Sequence, residues 1–176
     1  MIVWLIGYMF CIFGYVFTVV SVVGNTKRNM LVFSGICSIC SILTCIFWGR
    51  WFEILPSLVN ISAFAYAIYC DNKKAYSKVL IIILVLLVGA FRTLSHEENP
   101  YVYLINIIVK MVCMVMIFTT KTATQLRYVA FVEAAIGFIT NMVTDYYFMG
   151  FVEFVVISAI AIKLYLDKKK ELEKYR

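Results

Sequence analysis

Apolar residues come in long runs along this chain, and polar residues come in short clusters between them. Seven runs stand out, at roughly 2–23, 31–48, 53–70, 77–94, 101–119, 128–145 and 147–166. Each is close to the roughly 20 residues that a helix needs to cross a bilayer core. Membrane strands would alternate polar and apolar with period two, and these runs do not. A backbone in lipid must satisfy its own donors and acceptors, so the pattern predicts an all-α membrane protein with seven transmembrane helices. The first run does not read as a cleaved signal peptide. No basic residue precedes Lys27, the run is too long for an h-region, and no A-x-A site follows.

The chain also repeats itself. "LVNISAFAYAIYCDNKK" at 58–74 is echoed by "FVVISAIAIKLYLDKKK" at 154–170, and sliding 25–74 onto 121–170 without a gap gives 12 identities in 50 positions. The repeated unit is a helix triplet. The predicted architecture is therefore two three-helix repeats, at 1–74 and 100–176, joined by a linker helix within 75–99. A triplet reverses the direction of the chain, and the linker crossing restores it. The repeats are then parallel, related by a pseudo-twofold axis along the membrane normal.

Composition sharpens this reading. With 64% apolar residues and a mean hydropathy of +0.93, a chain of 176 residues carries more apolar surface than a soluble domain of its size buries. The net charge of +6 does not make a nucleic-acid face, because the basic residues sit in separate clusters between the runs. Lys27, Arg28, Lys73, Lys74, Lys78, Lys121, Arg127, Lys168, Lys169, Lys170, Lys174 and Arg176 fall on one side. Arg50, Arg92 and the acidic turn "SHEENP" at 95–100 fall on the other. The positive-inside rule puts the N-terminus outside and the C-terminus in the cytoplasm. Trp48, Trp51, Tyr101, Tyr103, Tyr146 and Tyr147 form an aromatic belt on the outer side. His96 is expected to be exposed, and the tail "DKKKELEKYR" to be a solvated basic helix end. The six cysteines lie in or beside apolar runs, and Cys37-x-x-Cys40 sits mid-helix without a nearby histidine. They read as small apolar residues, and neither a metal nor a cofactor is expected.

Small residues form matched stripes in the second and sixth runs: Ser34, Ser38, Ser41, Cys45 and Gly49, then Ala130, Ala134, Gly137, Asn141 and Asp145. Such stripes let helices approach closely in lipid. Ionisable residues inside the runs are costly, about 2.5–3.5 kcal/mol at a helix centre on insertion scales, so Lys110, Glu133 and Glu153 should face the bundle interior or a wet cavity. Glu133 is expected near the cytoplasmic end of its run and Glu153 near the outer end of its own. One lysine would not neutralise both, which leaves one carboxyl as a candidate proton carrier. The alternative is structural: Lys110 pairs with one carboxylate and locks the halves together. Asn60, Asn106 and Asn141 add hydrogen-bonding groups and complete the candidate lining. Pro56, Arg50, Glu53 and Asp145 are candidate hinge or gate residues, with Arg50 and Glu53 also readable as a plain surface ion pair. No nucleophile–histidine pair, metal-ligand cluster or phosphate-cradling glycine loop is present, so no enzyme is expected.

The segment "KRNMLVFSGICSICSILTCIFWGRWFEILPSLVNISAF", with Gly49 eleven residues before Asn60, resembles the YgjV-type bacterial inner-membrane proteins. So does "NMVTDYYFMGFVE", with Asn141 twelve residues before Glu153. The likeness covers most of the chain in the same order. It implies a bacterial inner membrane and brings no activity with it. The three-plus-one-plus-three plan is also similar to the SWEET sugar facilitators and the PnuC-type nicotinamide riboside carriers. In SWEET-like proteins the third helix of each unit carries a substrate-facing asparagine. Asn60 matches that role, while Val156 stands at the aligned position of the second unit, and the proline–glutamine pair of the first helix is missing. The reading that results is a small polar-solute carrier, a facilitator or proton-coupled, working by alternating access. The alternative is a non-transporting scaffold or accessory subunit. The partners that fit are membrane lipid, a small polar solute and further copies of the chain in a homo-oligomer; nucleic acid does not fit.

Overall fold

A computed structural model describes residues 2–73, 77–92 and 100–173, and all the regular structure among them is helical. The helices are α1 (Ile2–Val23), α2 (Lys27–Trp48), α3 (Ile54–Lys73), α4 (Lys78–Arg92), α5 (Pro100–Thr119), α6 (Ala123–Val143) and α7 (Tyr147–Glu173), with a 3-10 turn at Trp51–Glu53 leading into α3. The acidic turn with His96, Lys74, Lys174 and Arg176 lie outside the described residues, as do the side chains of Lys73, Arg92 and Tyr103. Five helices among the described residues are long and apolar enough to cross a membrane: α1, α2, α3 with its leading turn, α6 and α7. The apolar stretches of α4 and α5 are shorter. The surface is apolar to match: Trp4, Ile12, Ile82, Leu86, Ile108, Val112, Ile139 and Phe151 all point outward.

The helix boundaries come from local chemistry that recurs 96 positions apart. Thr26 caps α2 by accepting a hydrogen bond from Asn29 N, and Thr122 caps α6 by accepting one from Gln125 N. At the other end of α2 the backbone turns left-handed at Gly49, with φ 71°, and Arg50 N donates to Cys45 O at 2.9 Å. At the end of α6 it turns left-handed at Asp145, with φ 61°, and Tyr146 N donates to Asn141 O at 2.9 Å. In the helices that follow, Ser62 and Ser158 each bond back one turn, to Leu58 O and Phe154 O. Glycine takes a positive φ at no steric cost, and aspartate is one of the few other residues that tolerates it.

Neighbours in sequence pack together from α1 through α7, and α1 returns to touch α7, closing a ring. Across the ring α2 meets α6 and α3 meets α5. Exchanging α1, α2 and α3 for α5, α6 and α7 carries this set of contacts onto itself. The α1–α7 contact becomes α5–α3, and the α2–α6 contact becomes itself. α4 stands apart from the pattern, against α3 and α5. Two apolar cores fill the two seams. One joins Met30, Leu31, Ala63, Ala67, Val88 and Phe118 from α2 to α5. The other joins Val22, Ala134, Val156 and Ile160 from α1, α6 and α7.

Candidate functional site

Lys110 lies midway along α5 and Glu133 midway along α6, and Lys110 Nζ forms an ion pair with Glu133 Oε1. α6 starts at Ala123, several residues before its apolar run, so Glu133 lies near the middle of the helix rather than near one end. That differs from the sequence expectation, and the reason is the polar first turn "ATQLR", which the Thr122 cap makes helical. The two glutamates therefore converge. Glu153, about two turns into α7, lies within electrostatic reach of both Lys110 and Glu133. Its carboxyl rests on Gly137 of α6: a Cβ at that glycine would stand 3.2 Å from Glu153 Cδ. The missing side chain is what makes room for an acid between α6 and α7.

The first triplet supplies the rest. Tyr15 of α1 is in electrostatic reach of Glu153 and donates a hydrogen bond to Met149 Sδ at 2.7 Å. Cys37 of α2 is 3.1 Å from Thr18 Oγ1 and faces both members of the ion pair. Cys113, one turn beyond Lys110, lies within electrostatic reach of Glu133 and Lys110. Five helices thus converge on one polar cluster with one ammonium and two carboxyls, where the α1–α7 and α2–α6 contacts come together. The side chains of Lys110 and Glu133 remain 33% and 35% accessible, so the cluster is not sealed. Such a site can hold a small polar solute or pass a proton between carboxyls.

The sequence echo at a spacing of 96 gives this cluster a counterpart. Position 14 is equivalent to 110 and position 37 to 133. In the first triplet those positions hold Gly14 and Cys37, in close contact: a Cβ on Gly14 would be 4.0 Å from Cys37 Sγ. The same contact point is small in one half and a charged pair in the other, so α1 lies close on α2 while α5 stands off α6.

The other expected residues fall in three groups. Asn106 is half-buried one turn before Lys110, and Asn141 is half-buried one turn beyond Gly137, so both continue the faces that carry the cluster, toward the end opposite the basic one. Asn60 is half-buried on α3. Its repeat equivalent, Val156, is buried in the second core. Pro56 is the third residue of α3, where a helix has no intrahelical acceptor for the missing N–H, so it marks the junction with the 3-10 turn and does not kink the helix. Arg50 and Glu53 form an exposed pair at 3.3 Å, with the guanidinium over Trp48. Asp145 is exposed, accepts a hydrogen bond from Tyr147 Oη at 2.6 Å, and serves the turn.

One cluster was not foreseen. Arg127 of α6 is 1% exposed. Its Nη1 is 2.7 Å from Asp167 of α7, its Nε donates to Val22 O at 2.9 Å, and its Nη2 donates to Gly24 O. Lys163 of α7 bonds Asp167 and Asn25 Oδ1, both at 2.9 Å. Together they tie α6 and α7 to the α1–α2 turn. The matching pair in the first triplet is buried Lys27 with Asp71, at 3.0 Å. Asp71 and Asp167 are repeat-equivalent, and the doubled phrase with its shared aspartate was the available signal. Both partners looked like loop charges because the helices extend past their apolar runs.

No protein-family model matches the chain, and no curated protein or solved structure matches it either.

Proposed function

We propose that the chain is a multi-pass membrane carrier for a small polar solute, acting as a facilitator or with proton coupling, in which two helix triplets rock about a central site. The observation that carries this reading is the convergence of Lys110, Glu133 and Glu153 from three helices beside Tyr15 and Cys37 of the other triplet. A charged group held away from bulk water is costly, and a pair that served only as a tether would need no third carboxyl beside it. The caps, left-handed turns and aspartate pairs that recur 96 positions apart support a tandem repeat. The two-fold set of helix contacts supports parallel halves. In this reading the basic end faces the cytoplasm, and the likeness to YgjV-type and SWEET-like proteins belongs to the same proposal. Asn106 and Asn141 continue the path outward, Asn60 lines it from α3, and Glu153 carries the proton if transport is coupled.

The test is a thermal-shift screen of the purified protein against sugars, nucleosides and organic acids, because a bound ligand stabilises by mass action. A ligand that stabilises the parent and not Glu153→Gln supports the carrier. The direct Lys110–Glu133 ion pair favours a second reading, a scaffold whose polar residues hold helices together. A stoichiometric co-purifying partner, with no solute stabilising the protein, supports that reading instead.

A further inference from the structure

The stand-off of α5 from α6 leaves a groove of about 410 Å³ open on the flank of the bundle. Its wall toward the helix middles is apolar, with Val112, Met116, Val129 and Val132. It ends at Cys113 and so just short of the ion pair. Toward the basic end the lining turns polar at Thr119, Thr120 and Gln125. Tyr128 forms its edge, and the same Tyr128 borders a second depression of about 850 Å³ over the start of α6 and the end of α7. That depression is lined by Thr122, Thr124, Lys168 and Lys170, with Arg127 at its base. Lys121 is exposed beside it. Around Tyr128 there are thus four cations, Lys121, Arg127, Lys168 and Lys170, against two anions, Asp167 and Glu171.

We propose that these two depressions form one site for an anionic phospholipid of the leaflet at the basic end, with an acyl chain in the α5–α6 groove and the phosphate against Lys168, Lys170 and Thr122. An apolar trough that becomes polar and then cationic at a helix end has the profile of a lipid molecule. The groove runs from position 112 of α5 to Thr120 just past its end, about 12 Å at roughly 1.5 Å per residue, which suits the upper half of an acyl chain. The excess of lysine selects an anionic headgroup, and Tyr128 and Tyr165 suit the interfacial depth. The bound chain would brace α5 where the repeat leaves it unsupported. α1, its counterpart, needs no such brace because Gly14 lets it lie directly on Cys40 and Cys37.

The experiment compares thermal stability of the full chain in detergent with dioleoyl phosphatidylglycerol, dioleoyl phosphatidylcholine or glycerol 3-phosphate, and follows retained lipid by native mass spectrometry. Phosphatidylglycerol should stabilise and stay bound through delipidation, while the other two should not. Each lysine near the headgroup should contribute roughly fivefold to retention. Lys168→Ser with Lys170→Ser should therefore remove the preference for the anionic lipid. Val132→Trp, which fills the groove from an exposed position, should cut retention of phosphatidylglycerol. Equal stabilisation by both lipids would overturn the proposal. So would a full effect of glycerol 3-phosphate alone, or a preference unchanged in the lysine variant. Should Val132→Trp fail to fold, the exposed lysine variant still decides.

Discussion

Arg127 and Asp167 meet at 2.7 Å with the arginine side chain 2% accessible, and the equivalent aspartate of the first triplet, Asp71, meets buried Lys27 at 3.0 Å. Each triplet thus fastens its third helix to the start of its second through a repeated acid. The cation is supplied from different positions, one at the first residue of α2 and one about a turn into α6. Breaking a buried pair costs about 3–5 kcal/mol because the remaining charge has lost its partner. Asp167→Asn should lower stability by about that amount in chemical unfolding. Arg50→Ala, which breaks an exposed pair, should change it by less than about 1 kcal/mol. Equal effects would mean that Arg127 is not held as described.

The left-handed turns supply a second comparison. Gly49→Ala should cost about 1–2 kcal/mol, the penalty for a Cβ at positive φ. Asp145→Asn should be tolerated, because asparagine shares the tolerance for that backbone, while Asp145→Val should be destabilising. These three are read by melting temperature. A strong loss of solute uptake in a stable Asp145→Asn protein would return this residue to the role of a gate.

Gly137 tests the seat of the half-buried acid Glu153. Alanine there would place its Cβ 3.2 Å from the Glu153 carboxyl, which lies at the end of a flexible side chain and can move. Gly137→Ala should therefore keep folding stability within about 1 kcal/mol while reducing uptake. Gly35→Ala is the control: nothing lies within 4 Å of the added methyl, and uptake should be unchanged.

Lys110→Met should destabilise more than Lys110→Met combined with Glu133→Met, because the single change leaves Glu133 without its cation and the double change removes both charges. Unfolding of the two singles and the double gives the coupling. Additive effects would argue that the ion pair is not formed in the membrane.

Much of this was legible in the sequence. Run length gave the helices, and the sequence echo aligns Thr26 with Thr122, Gly49 with Asp145 and Asp71 with Asp167. What the pattern missed lies at helix ends and between helices. Hydropathy ends α6 where charges begin, yet the Thr122 cap and Gln125 carry the helix back to Ala123, which moved Glu133 to the middle and buried Arg127. At Asp145 the sequence does not show the positive φ that the turn gives this residue. Asn60 stands out as a hydrogen-bonding group in an apolar run, and no spacing rule says which face of α3 turns toward the other helices. The convergence of Lys110 with Glu153 depends on which helices close the ring, and a list of runs does not contain that.

The central claim is that the polar cluster moves a solute. The most direct measurement is uptake into reconstituted vesicles across a panel of sugars, nucleosides and organic acids, with the parent and Glu153→Gln compared at matched thermal stability. The account predicts uptake of one solute class by the parent and a severe loss in the variant. Uptake that is identical in both would contradict it, and so would no uptake of any solute by a stable, correctly inserted parent.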